Sequence, residues 1–240
     1  MFFLAVTCLG IIAAGLQKAL GKSGYAQQKQ QRIITVTVLV MAAWVVLIGL
    51  LAVKGFFSKF NTLPPRPVLL IFLPLPVVLV IAFSKKFAAV LKAVPPHWLV
   101  GMQAFRIAVE LILYYGFANG LLPKQMTFEG GNFDILSGLL AIPVAVMVRK
   151  KYSLALVRVF NIIGQLLLLN VLVIVVLSLP TPLRHFMNEP GVGIVGEFPF
   201  MYLPGVLVVI AYSLHIFSLR QAVLLSNKKA GETAKAEGVN

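Results

Sequence analysis

Three polar side chains interrupt QAFRIAVELILYY, residues 103–115, inside one of the most apolar runs of the chain. On a helix turning about 100° per residue, Gln103, Arg106, Glu110 and Tyr114 form a single stripe. The segment VRVFNIIGQ repeats the i, i+3, i+7 spacing with Arg158, Asn161 and Gln165. Tyr212 and His215 share a face three residues apart and line a candidate cavity near one membrane face. A guanidinium and neighbouring amides are the groups that hold a carboxylate or phosphate. A lone intramembrane carboxylate is a counter-ion or a proton carrier.

Charge balance divides the readings of this stripe. Arg106 and Arg158 bring two positive charges, and Glu110 is the only acidic residue well inside a span. With Arg158 snorkelled to the surface, Arg106 and Glu110 neutralise each other and the amides only staple helices together. With Arg158 turned inward, the interior keeps an unpaired cation and favours an anionic or zwitterionic solute or a lipid headgroup. An intramembrane charge costs at least about 2.5–3.5 kcal/mol, so both readings turn the stripe away from lipid. The two stripes are expected to face one another.

A second cluster, Glu129, Asn132 and Asp134, lies in MTFEGGNFDILSG, residues 126–138. Gly130 and Gly131 permit a tight turn there. Asp134 stands where a helix N-cap or first-turn carboxylate belongs, with a reach back toward the polar stripe as the alternative. The oxygen spacing does not fit the calcium loop DxDxDG.

The elements that must position these residues follow from composition. Of 240 residues, 60% are hydrophobic and 12% charged, half the charged share of an ordinary soluble domain. Mean hydropathy is +0.95. Several runs approach the roughly 20 apolar residues that cross a bilayer. The expected fold is an all-α, polytopic transmembrane helix bundle with seven spans, near 2–20, 33–54, 66–83, 98–120, 133–148, 154–178 and 198–219. Residues 1–225 form one membrane domain, and 226–240 read as a polar, disordered cytoplasmic tail.

The net charge of +14 does not signal nucleic acid, because the basic residues cluster in the connections. Fourteen Lys and Arg fall on one side, five on the other, and two (Arg106 and Arg158) inside spans. The positive-inside rule then puts the N-terminus outside and the C-terminus in the cytoplasm. The fifth span is short and carries Pro143, which leaves a re-entrant segment as its alternative. Pro74 and Pro76 should bend the third span. Residues 84–98 read as an interfacial segment, and the loop near 179–197 as an irregular cap. The partner is the lipid bilayer itself, and nothing in the sequence calls for a cofactor or specifies an oligomer.

Some chemistries drop out. The last span has no lysine for a retinal Schiff base. On this topology His97 and His215 lie near the cytoplasmic face and His185 in an outer loop about 30 Å away, so no three-histidine metal site forms. Nucleophile-elbow, P-loop, HExxH and dinucleotide patterns are missing. Enzymatic activity is not indicated. Over residues 97–140, the QxFRxxxE spacing and TFEGxNFDIL resemble a family of small uncharacterised bacterial integral membrane proteins. That resemblance implies a bacterial cytoplasmic membrane and a seven-helix body, and supplies no activity. Two functions remain: a small transporter or permease-like protein, or a sensor or accessory subunit whose buried polar residues are structural.

Overall fold

The chain is described by a computed structural model over residues 1–62 and 64–237, with side chains through residue 227. It is all-α, with no strand among the described residues. Six helical stretches are long and apolar enough to cross a membrane.

Helices α1 (Phe2–Gly21) and α2 (Gln27–Val53) form an antiparallel pair. Along α2 only Ile48 and Ala52 are buried, although the helix is apolar on every side. Only 17% of its apolar window is covered, against 61% for Leu203–Asn227. A helix of that kind belongs against lipid, whereas the last one is the central rod of the bundle.

The third stretch is broken into α3 (Arg66–Phe72) and α4 (Pro74–Phe83). Pro74 opens α4, where its missing N–H is no loss. At the break, Tyr212 Oη donates to the Ile71 carbonyl at 3.2 Å. Ser84 caps α5 (Lys85–Ala93) by accepting from the Phe87 N–H at 3.1 Å. This short helix buries Val90 and Leu91 and leaves its lysines exposed, as an interfacial helix should. Gln221 Nε2 clasps the next corner, donating to the carbonyls of Leu91 and Val94 at 2.6 Å each.

After Pro95 the chain rises through α6 (Pro96–Gly101), one 3-10 turn and α7 (Phe105–Ala118) as a continuous 23-residue stretch. Helix α8 (Ile135–Lys150) returns antiparallel to it. A β-carbon on Gly101 would lie 3.3 Å from Ala145 Cβ, and one on Gly138 would lie 2.8 Å from Ile107 N. The first turn of α8 therefore stands level with the middle of α6–α7. Its 16 residues extend about 24 Å, which explains why it is not among the six long stretches. Helix α9 (Leu154–Ser178) follows, capped by Ser153. A π turn over Leu203–Leu207 then leads into α10 (Val208–Glu237), and Trp44 Nε1 donates to the Gly205 carbonyl there at 2.8 Å.

Helix α10 packs against α4, α5, α6 and α9. It runs on to Glu237 through the tail read as disordered from Ser226; KKAGETAKAE is rich in Ala, Lys and Glu, which favour helix. Residues 238–240 lie outside the described residues.

One end of the bundle carries the loops 54–65, 119–134 and 179–202, and is called the capped end below. Val192, Val195 and Met201 of the last loop are buried under it, beside Phe57. On its exposed rim Arg184 Nη2 donates to Glu189 Oε1 at 2.9 Å, which holds that carboxyl below the usual range. A side chain on Gly196 would meet the Phe57 carbonyl oxygen at 2.5 Å, whereas Gly193 has open space out to Phe60 at 3.8 Å. Because backbone cannot yield as a flexible side chain can, Gly196→Ala should cost about 1–3 kcal/mol. Thermal unfolding in detergent should show a clear fall for Gly196→Ala and little change for Gly193→Ala.

Candidate functional site

The segment ahead of α8 does not stay at the capped end. Met126, Thr127, Asn132 and Asp134 are buried, so this stretch dips from the capped end to mid-bundle before helix begins. Two glycines make the descent possible. Gly131 sits at φ +103°, and a β-carbon on Gly130 would collide with the Lys124 backbone. The backbone groups exposed on the way down are satisfied inside the protein. Asn170 Nδ2 donates to the Gly131 carbonyl at 2.8 Å, and Asn132 Nδ2 to that of Met126 at 2.9 Å. Irregular backbone at membrane depth survives only under such cover.

The descent delivers Asp134 to Arg106. Nε donates to Oδ2 at 2.7 Å and Nη2 donates to Oδ1, a two-pronged pair. Nη1 donates to the Gly164 carbonyl at 3.3 Å and to His215 Nε2 at 3.1 Å. Since a guanidinium only donates, Nε2 accepts and the ring proton sits on Nδ1. His215 Nδ1 then donates to Asn161 Oδ1 at 2.8 Å, and the Asn161 amide donates to the Val157 carbonyl and to Ser218 Oγ. The histidine is neutral. Gly164 is required beside it, because a β-carbon there would strike the His215 ring.

Glu110 stands one turn closer to the capped end, 1% exposed. Asn132 Nδ2 donates to both its oxygens, at 2.9 and 3.0 Å. One amide is meagre supply for a carboxylate, which offers about four acceptor sites. One turn on the other side of Arg106, Gln103 Nε2 donates to the Ala211 carbonyl at 3.0 Å, and its Oε1 is unpartnered. Ser137 Oγ is likewise buried and unpartnered.

This arrangement corrects several expectations. Arg106 pairs with Asp134 rather than Glu110, and Asp134, although at the N-cap position, makes no side-chain cap. Asn161 joins the network through His215 of α10, so the stripes of α7 and α9 do not meet directly. Arg158 is exposed, Gln165 is half-buried outside the network, and Tyr114 stacks on Phe128 with ring centroids 5.1 Å apart. Tyr212 serves the α3–α4 break, and neither it nor His215 lines the cavity described below. His215 itself stands at mid-bundle, since α10 is longer than the span read from sequence. Glu129 stays at the surface, 3.9 Å from Lys124. Of the two charge balances weighed, the one with Arg158 at the surface applies, and Asp134 adds an acid to it: the described interior holds Arg106 against Asp134 and Glu110.

A cavity reaches this network. Its volume is about 50 Å³, where a single water needs roughly 10–15 Å³. Its walls are aliphatic, from Ile71, Leu172, Val176 and Leu207 among others, and Arg106, Asp134 and Glu110 border it. It lies between α3 and α9; α3 leans on the π turn over Leu203–Leu207 and α9 on α10. From Leu168 to Leu179 along α9 it extends about 16 Å, ending beneath the cap. No group of three or more His, Cys, Asp or Glu among the described residues is arranged to hold a metal.

Fold and site together define a multi-pass α-helical membrane protein, knotted at mid-bundle by a buried Arg–Asp–His network. Residues 63–223 match the domain of unknown function DUF8737, and the chain belongs to that family. The match covers α3 through the middle of α10, hence the whole network, and leaves out α1 and α2. No curated protein and no solved structure matches the chain.

Removing one partner of a buried ion pair strands the other, a loss of about 3–5 kcal/mol. Arg106→Gln and Asp134→Asn should each lower the unfolding midpoint in detergent by that order. The double variant Arg106→Met with Asp134→Leu should recover much of the loss, because neither member of the pair is left behind without the other. A double variant worse than the sum of the singles would contradict the pairing.

Proposed function

We propose that this is a seven-crossing membrane protein that binds a lipophilic small molecule or lipid within the bundle, as a transporter or permease does. The fifth crossing is composite: an irregular descent over 119–134 followed by α8, which ends at Arg149, Lys150 and Lys151. The fourteen-to-five bias of basic residues supports a cytoplasmic position for the end carrying those residues, and an external position for the N-terminus and the capped end. The resemblance read from sequence favours the bacterial cytoplasmic membrane.

The observation that carries the ligand reading is the cavity between α3 and α9, aliphatic along its walls and bordered by Arg106, Asp134 and Glu110. Apolar walls with a few convergent polar groups are the usual form of a small-molecule site. The break at Pro74 and the irregular approach to α8 flank it, and discontinuous helices commonly mark binding sites in transporters. In this reading a ligand enters between α3 and α9, sideways from the bilayer.

A second reading has one specific observation in its favour. Arg106 spends its donors on Asp134, Gly164 and His215 and so staples α7, α8, α9 and α10. Under that reading the protein is a sensor or accessory subunit and its network is structural.

Native mass spectrometry of protein released gently from membrane should show a co-purifying lipid or lipophilic metabolite. Leu172→Trp, which fills the cavity from a half-buried position, should remove that mass while the unfolding midpoint stays within about 1.5 kcal/mol of wild type. Unliganded wild-type protein in native lipid would favour the structural reading. Topology is read independently with single cysteines at Asn119 and Ser226 in a Cys8→Ser background: an impermeant maleimide should label the first, not the second, in intact cells.

A further inference from the structure

The cavity has a sign. Around Glu110 the charged and titratable groups are Arg106 and Tyr114 on its own helix, Asp134 from the descent, and His215 of α10 reached through Arg106. Lys124 and Glu129 pair with each other at the exposed start of the descent, and Cys8 of α1 is a buried thiol. The faces of α3, α9 and α10 toward the cavity bring aliphatic side chains only. Arg106 is taken up by Asp134 in a two-pronged pair, and His215 is neutral because its Nε2 must accept from that same guanidinium. Glu110 therefore has no cation bonded to it: Arg106, one turn away, acts on it only through space, and its one positive charge faces two acids, Asp134 and Glu110. Its single donor is the Asn132 amide, and it borders an apolar cavity.

A bare carboxylate in such a place is costly, and a proton is the smallest charge that relieves it. A cationic headgroup arriving in the cavity relieves it equally. The two cannot both be held without leaving a surplus positive charge.

We infer that Glu110 is a proton–cation exchange site, and that the cavity takes a lipophilic cation, an ammonium headgroup on an apolar tail, in place of one proton. With the cavity empty, the Glu110 carboxyl carries the proton. As the ammonium comes to its oxygens, the carboxyl O–H bond breaks, the proton leaves to water, and the carboxylate remains as counter-ion. One positive charge enters and one leaves, and no covalent bond to the ligand forms. The tail lies along α9 toward the cap, where the walls are aliphatic. This inference rests on the ligand-binding reading above and fixes the ligand's charge class.

The test uses full-length protein in nanodiscs, with empty nanodiscs as the reference for partitioning. Three probes share one tail: decyltrimethylammonium, decanol and decanoate. The cation should bind best and release about one proton per molecule bound in weakly buffered solution. Its apparent Kd should fall by up to about tenfold per pH unit while the site is protonated, since the proton competes, and level off once it is not. Decanol should bind more weakly, with no proton release and no pH dependence. Glu110→Gln, which keeps a side-chain oxygen for Asn132, should abolish proton release and the preference for the cation and retain decanol binding. If that variant does not fold, proton release and pH dependence of the wild type decide alone. Decanol binding with no preference for the cation, or a preference for decanoate, overturns the exchange inference and leaves the cavity reading standing. Failure of all three probes to bind above empty nanodiscs removes both.

Discussion

An arginine in the middle of a lipid-embedded bundle can neither lose its proton nor reach water, so the rest of the fold is arranged around it. Arg106 needs a carboxylate, carbonyl oxygen and a neutral ring nitrogen at once, and each comes from a different segment. That demand sets where α8 may begin, why position 164 has no side chain, and which tautomer His215 adopts. It also explains why irregular backbone is found at mid-bundle, where hydrocarbon would otherwise forbid it. The descent over 126–134 is tolerable because it brings its own amides and buries its carbonyls against them.

Much of this fold was legible in the chain because hydropathy is a strong signal. Runs such as 33–54 and 154–178 declare themselves by length alone, and the proline break at 74 needs no coordinates. The polar stripe on α7 was legible too, since helical spacing decides which side chains share a face. Its partner was not. Glu110 lies four residues from Arg106, the spacing of an intrahelical pair, whereas Asp134 is 28 residues away behind two glycines. Local spacing favoured the nearer acid, and the loop's depth decided for the farther one. The signal that pointed the other way was TFEGGNFDIL itself: a glycine pair with three acid or amide side chains is a poor fit to a plain surface turn.

The interior charge count shows how one misplaced residue reverses a conclusion. With Arg158 inside and Asp134 outside, the bundle would attract anions; with those positions exchanged, it retains an excess carboxylate. The two descriptions use the same sequence and differ only in which side chain a loop carries inward. Helices α1 and α2 contribute none of this chemistry. They lie outside the matched range of the DUF8737 family, and α2 in particular is thinly covered, as a peripheral helix is.

The clasp of Gln221 on the carbonyls of Leu91 and Val94 gives the central helix a second office. His215 and Gln221 are six residues apart on one rigid rod, one gripping the charged knot and the other the corner beneath the surface helix α5. A tilt or rotation of α10 felt at the knot is therefore felt at the membrane surface as well. The lysine-bearing helix α5 is thus tied to the charged knot through a single helix.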